Sequence, residues 1–210
     1  MKGFIFDLDG VIVSTDGLHY LAWKQMADKE GIYFDEKINN RLRGVSRMAS
    51  LEIVLERASR EYSEEEKQIL ATYKNDIYKE LLKSLTPADI LPGVAATLDE
   101  LRTRGYKLAI GSSSRNTPAI LKYIGLEGFF DAISDGNNIK NSKPDPEVFI
   151  KGALFLGLDA SECYIVEDAK AGVDAGRAGG FTTIALGDAY GYENADYCIT
   201  RFTEILDIAK

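Results

Sequence analysis

The sequence predicts an α/β protein: a doubly wound parallel sheet with an all-helical cap inserted after the first strand. Three observations predict it. The chain opens on a short apolar run, Gly3-Phe4-Ile5-Phe6, that ends abruptly in Asp7-Leu8-Asp9-Gly10. From Leu91-Pro92-Gly93-Val94 onward, helical stretches alternate with short apolar strands, the pattern of a parallel sheet covered by helices on both faces. Between these two regions, residues 16–84 carry helical periodicity and no strand signal. The expected organisation is therefore a core domain of 1–15 and 85–210 around a cap of 16–84.

The first strand ends in two carboxylates spaced one residue apart, and Gly10 lets the chain turn away at once. The carboxyl edge of a parallel sheet is where ligands bind, so Asp7 and Asp9 are candidates for chemistry. In the cap, Leu18, Leu21, Ala22, Trp23, Met26 and Ala27 recur at helical intervals and stop at Gly31. A second helix is expected from Asp35 to Leu42, ended by Gly44. Ser46 caps a third that carries apolar residues from Met48 to Ala58. Ser63 with Glu66 has the capping-box form and opens a fourth that runs to Leu82.

In the core, a helix from Val94 to Arg104 leads through Gly105 into a strand over 106–112. Later strands are expected at Ala132-Ile133, Cys163 to Glu167 and Thr182 to Leu186. Three of these strand ends carry further polar groups. Ser112-Ser113-Ser114-Arg115-Asn116 precedes a helix beginning near Thr117-Pro118, where backbone N–H groups favour an anion. Ser142-Lys143-Pro144-Asp145-Pro146 presents a lysine on a loop stiffened by two prolines, suited to a point charge against phosphate. Glu167-Asp168 closes a strand before a helix rich in small residues. Each has an ordinary reading alone, as a serine cap, a surface lysine or a solvated strand end. Together, four carboxylates at neighbouring strand ends would repel unless a cation lay among them, and beside phosphate Mg2+ is the expected one.

Composition bounds the rest. The chain has 210 residues, 45% of them hydrophobic, and five prolines, enough for a substantial core. A net charge of −8 argues against a nucleic-acid groove. Cys163 and Cys198 have neither metal-ligand nor framework spacing and read as buried free thiols suited to a reducing cytoplasm. With no leader-like start and no apolar run of membrane-spanning length, the expectation is a cytoplasmic monomer with no membrane partner.

Asp7-Leu8-Asp9-Gly10-Val11, Ser112, the lysine before Pro144 and the Glu167-Asp168 pair resemble the four motifs of the haloacid dehalogenase superfamily, along the whole chain and with a helical cap directly after the first motif. The resemblance implies a Rossmann-like core in which Asp7 is a nucleophile that becomes an aspartyl phosphate and Asp9 is the general acid/base. It implies that Ser112 and Lys143 hold the transferring phosphoryl, and that Asp7, the Asp9 carbonyl, Glu167 and Asp168 surround Mg2+. Within the superfamily, His19, Trp23, Leu42-Arg43-Gly44-Val45-Ser46-Arg47, Lys74-Asn75 and Ser114-Arg115-Asn116 are similar to its sugar-phosphate mutases. That similarity implies a small sugar phosphate as partner, contacted by Thr15, His19, Trp23, Arg43, Gly44, Lys74, Asn75 and Ser113. A second, non-transferring phosphate would be gripped by Arg47, Ser114, Arg115 and Asn116. Arg43 and Arg115 stand where lysine is common in those mutases, which keeps the charge and changes the donor geometry.

The implied activity is an isomerase moving phosphate between C1 and C6 of β-glucose through a bisphosphate. The alternative on the same scaffold is a sugar-phosphate phosphatase, in which water attacks phospho-Asp7. A signalling receiver domain also uses an aspartate, an acidic metal pocket and a lysine, but it predicts no helical insertion.

Overall fold

β1 (Gly3–Phe6) is buried at every position because it lies in the middle of a sheet. The computed structural model describes residues 3–42 and 46–209. The sheet is completed by β2 (Lys107–Gly111), β3 (Ala132–Ser134), β4 (Cys163–Glu167), β5 (Thr182–Ala185) and β6 (Tyr197–Cys198), all parallel, in the order β3-β2-β1-β4-β5-β6. Phe6 is registered with Ile110 on β2 and with Val166 on β4. The residues that follow, Asp7, Gly111 and Glu167, therefore reach the carboxyl edge at one level. Successive strands run outward from β1 toward β3 on one side and from β4 toward β6 on the other. The direction of winding reverses between β1 and β4, which is the crevice where open α/β sheets bind ligands.

The chain divides into two compact units, Met1–Ser14 with Thr86–Lys210, and Thr15–Leu85. The second unit is built from α1 (Asp16–Lys29), α2 (Glu36–Asn40), α3 (Arg47–Leu55) and α4 (Glu64–Leu82). Trp23, Met26, Phe34, Leu51, Val54 and Leu70 form its own apolar centre. The capping box forms as expected: Glu66 N donates to Ser63 Oγ and Ser63 N donates to the Glu66 carboxylate. α2 is shorter than the expected 35–42. Asp35 is extended rather than helical and accepts from Ile38 N at 2.9 Å, acting as the cap, and Leu42 falls in the turn after the helix. α3 likewise stops at Leu55 instead of Ala58, whose N–H closes a turn onto the Leu55 carbonyl.

Helices α5 (Val94–Thr103), α6 (Thr117–Tyr123), α7 (Glu147–Leu156), α8 (Lys170–Ala178) and α9 (Ile205–Ile208) belong to the sheet unit. Period-two geometry divides β1 between two layers. Ile5 packs with Phe149, Ala153, Ile165 and Phe181, while Phe4 and Phe6 meet the rings of Tyr106, Tyr164, Phe130 and Phe202. Cys163 is buried as expected, but Cys198 is exposed. The reason is position: β6 is a two-residue edge strand, exposed at both residues, and covers nothing on its outer side.

Candidate active site

Asp7 is the first residue beyond β1, held there by its own N–H, which donates to Val166 O at 2.9 Å. The chain then turns through Gly10 at φ +79, where a side chain would be strained. Leu8 O accepts from both Ile12 N and Val13 N, and Gly10 N donates to Val13 O, closing a tight loop around Asp9. Gly10 has a second reason to lack a side chain, since a Cβ there would run into the Asp168 carboxylate. A carboxyl group from the end of β4 thus packs directly on the backbone of the loop from β1. Gly172 does the same for Glu167, whose carboxylate occupies the space that a Cβ on α8 would need.

Lys143 is buried and bridges two acids. Its Nζ donates to Asp7 Oδ1 at 2.5 Å and to Glu167 Oε1, and lies 4.8 Å from the Phe149 ring centre. The loop that delivers it, with a cis Lys143–Pro144 peptide, is tied down by Glu147 at the start of α7. One Glu147 oxygen accepts from Lys140 N and Asn141 N, and the other takes Lys151. These contacts hold the Glu147 carboxyl down at about 2, led by the Lys151 ammonium and the Asn141 amide.

The charges at this edge are unbalanced. Burial disfavours the Lys143 ammonium, but Asp7 and Glu167 outweigh it and raise lysine above its usual range. Burial raises Glu167 against the pull of Lys143, and Asp7 adds to the rise. Asp168 is pushed up to about 8 by burial and then by Glu167, Asp7 and Asp9. One ammonium is too little positive charge for this set of hard oxygen donors, and the imbalance is what a small divalent cation relieves. Among the described residues, no three acidic, histidine or cysteine side chains converge closely enough to hold a metal as they lie. The Lys143 ammonium bridges Asp7 and Glu167 instead. The donor set fits Mg2+ in charge and chemistry.

The neighbouring strand end, after β2, forms a polar loop. Ser112 N donates to Ser134 O, and Ser112 Oγ accepts from Ser114 N at 3.2 Å. Ser114 Oγ accepts from Asn116 N, and Thr117 Oγ1 donates to Ser114 O. Pro118 stands in the first turn of α6 as expected. Ser113 Oγ is buried without a hydrogen-bond partner among the described residues, an orphaned donor in the stretch expected to meet phosphate. Arg115 is an exposed residue, and its Nε donates to Gly136 O at 3.1 Å.

The helical unit gathers a cluster of its own. Lys74 is buried, and its Nζ donates to His19 Nδ1 at 2.8 Å, 4.8 Å from the Trp23 ring and 4.6 Å from the Tyr78 ring. His19 is held well below its ordinary value by burial, then by the charges of Lys74 and Arg47, so it accepts as the neutral imidazole. Arg47 at the start of α3 donates to Asn75 Oδ1 at 2.8 Å, and Thr15 Oγ1 pairs with the Tyr78 hydroxyl at 2.8 Å. Arg43 and Gly44 lie outside the described residues. The structure thus brings Asp7, Lys143, Glu167 and Asp168 together, sets Ser112 to Asn116 at the adjoining strand end, and gathers Thr15, His19, Trp23, Arg47, Lys74 and Asn75 in the helical unit. Tyr78 belongs to none of the motifs in the sequence, although it stands one helical turn beyond Lys74, a spacing that places both on one face.

A parallel α/β core with an acid–lysine–acid cluster at its switch point defines the class of protein. The family model for haloacid dehalogenase-like hydrolases matches residues 1–180, and the chain belongs to that family. It is 39% identical over 207 residues to a protein described as β-phosphoglucomutase from Bacillus subtilis (strain 168), covering 98% of this chain and 92% of the relative. It is 30% identical to a phosphorylated carbohydrates phosphatase from Thermotoga maritima, covering 100% of this chain and 99% of that one. Among solved structures, β-phosphoglucomutase from Clostridium difficile superposes with a TM-score of 0.92 at 36% identity, covering 100% of this chain and 96% of that chain.

Proposed function

We propose that the chain is a Mg2+-dependent mutase that interconverts β-D-glucose 1-phosphate and glucose 6-phosphate through phospho-Asp7 and glucose 1,6-bisphosphate. The observation that carries this reading is the likeness to the Bacillus subtilis β-phosphoglucomutase, which extends through both units at 39% identity. In the first half of the reaction Asp9 removes the proton from the 6-hydroxyl of β-glucose 1-phosphate, whose oxygen attacks the phosphorus of phospho-Asp7 and breaks its bond to the Asp7 carboxylate, giving glucose 1,6-bisphosphate. In the second half, after the bisphosphate turns over, an Asp7 oxygen attacks the other phosphorus, the bond from phosphorus to the C1 oxygen breaks, and Asp9 gives its proton to that oxygen, releasing glucose 6-phosphate and restoring phospho-Asp7. Ser112 and Lys143 hold the group in transit. Ser114, Arg115 and Asn116, with Arg47 of the helical unit, hold the phosphate that stays. Asp7, the Asp9 carbonyl, Glu167 and Asp168 would hold Mg2+, which supplies charge neutralisation for the transferring phosphoryl. A small diffusible substrate and two reduced thiols suit a cytoplasmic monomer.

The second reading is a sugar-phosphate phosphatase, favoured by the full-length likeness to the Thermotoga maritima phosphatase. One assay separates them. Purified protein is given β-glucose 1-phosphate, Mg2+ and a trace of the bisphosphate while glucose 6-phosphate and inorganic phosphate are followed together. A mutase yields glucose 6-phosphate with little free phosphate; phosphate released at the rate of turnover makes the protein a phosphatase. Arg47→Ala sharpens the result. It should cripple turnover of glucose phosphates yet spare phosphorylation of Asp7 by acetyl phosphate, which has no second group to grip.

A further inference from the structure

The loop that follows β3 is laced onto the loop that follows β2. Gly136 N donates to Ser114 O at 3.3 Å, and Gly136 O accepts from Arg115 Nε at 3.1 Å. Asn137 Nδ2 donates both to Arg115 O at 3.0 Å and to the Asp135 carboxylate at 3.0 Å. Asp135 is buried, and its other oxygen accepts from Asn137 N at 2.8 Å. The two loops lie in backbone contact, because a Cβ on Gly136 would sit 2.5 Å from Ser113 O and 2.9 Å from Arg115 N. Arg115 is thus held at its carbonyl by Asn137 and at its side chain by Gly136. The Nε bond fixes the base of the guanidinium fork of this exposed residue, and the two terminal nitrogens of a guanidinium are the pair that meets two phosphate oxygens. A lysine has no second nitrogen with which to be anchored in this way.

We propose that Asn137 is a positioning residue for substrate recognition: with Gly136 it presets Arg115 against the phosphate that stays on the sugar, so that Arg115 contributes orientation as well as charge. This deepens the function proposed above and rests on it. Asn137 is an exposed residue whose Nδ2 is spent on Arg115 O and Asp135.

The test compares Asn137→Ala, Arg115→Lys and Arg115→Ala in two reactions, steady-state turnover of β-glucose 1-phosphate and phosphorylation of Asp7 by acetyl phosphate. Loss of one or two hydrogen bonds should raise KM for the sugar phosphate about 3- to 10-fold in Asn137→Ala and in Arg115→Lys, with kcat falling less. Phosphorylation by acetyl phosphate should be unchanged in Asn137→Ala, which also reports that this variant is folded. In an Arg115→Ala background, Asn137→Ala should change nothing further. If Arg115→Ala raises KM while Asn137→Ala does not, or if Asn137→Ala raises KM equally in both backgrounds, the positioning role is wrong and the mutase reading stands. If Arg115→Ala leaves KM unchanged, the grip on a second phosphate is wrong and the positioning role goes with it.

Discussion

Lys143 Nζ stands 2.5 Å from Asp7 Oδ1 although 136 residues separate the two in the chain. The same ammonium also binds Glu167, so one side chain neutralises the end of β1 and the end of β4 at once. The proposed nucleophile is therefore pinned by the group proposed to meet the incoming phosphoryl.

Replacing that lysine leaves two buried carboxylates facing each other. Breaking a buried pair by removing one partner costs about 3–5 kcal/mol. For a chain of this length that corresponds to a melting temperature lower by about 6 to 20 °C. Calorimetry of Lys143→Met in the presence of chelator should show this drop; an unchanged melting temperature would mean that the lysine does not neutralise these acids.

Mg2+ should act in the same direction as Lys143. At a hundredfold excess over its dissociation constant, a ligand specific for the folded state stabilises by about 2.7 kcal/mol. Added Mg2+ should accordingly raise the melting temperature of the unaltered protein by about 5–10 °C. Asp168→Asn should abolish most of that rise, and excess chelator should abolish turnover. A rise of equal size in Asp168→Asn would remove Asp168 from the cation site.

Asp9 should be separable from Asp7. Asp7→Asn cannot form an acyl phosphate and should show no phosphoenzyme by mass spectrometry. Asp9→Asn keeps its backbone carbonyl and loses only proton transfer, which should slow turnover by about 100- to 10,000-fold. Near-normal turnover in Asp9→Asn would assign the proton to another group.

His19 gives the helical unit a pH dependence with a definite sign. Its folded value lies below the ordinary 6.5 because it is buried beside Lys74 and Arg47. Between the folded and unfolded values the unfolded chain binds more protons, so stability is full above about 6.5 and falls as the pH drops below it. Denaturant melts from pH 7.5 to 5 should show this slope, and it should be shallower in His19→Gln. Equal slopes in the two proteins would mean that His19 titrates normally.

Much of the core was legible in the sequence because strand ends, turns and motifs are local. Asp7, Ser112 and Glu167 each close or follow a short apolar run, and the alternating pattern alone puts such ends on one edge of a sheet, whereas Lys143 lies nine residues beyond the end of β3 and is marked by the prolines beside it. The cap of α4 was legible for the same reason, since Ser63 and Glu66 are three residues apart. What could not be read was partnership across loops. Nothing near Asn137 in sequence points to Arg115, and the small residue at Gly136 acquires its meaning only from the backbone it touches. The exposure of Cys198 is not legible because hydrophobic texture marks a strand and not whether the strand lies at an edge. Asp35 caps the helix that the sequence expects it to join, since a capping aspartate and a first-turn aspartate differ in backbone angle and not in spacing.

The central place of β1 has a consequence for the order in which the molecule is made. Gly3 pairs with Lys107 on one side and with Cys163 on the other, so the strand that leaves the ribosome first waits for both neighbours. Closing such long loops is entropically costly and slow. The four helices of residues 15–85 need only one another for their apolar centre and can consolidate while the rest is still being synthesised. A nascent chain halted before Cys163 would own the proposed nucleophile and the whole helical unit yet lack the acidic wall contributed by β4. The proposed site is thus completed late, and a chain halted before Cys163 carries Asp7 and Lys143 without Glu167 and Asp168.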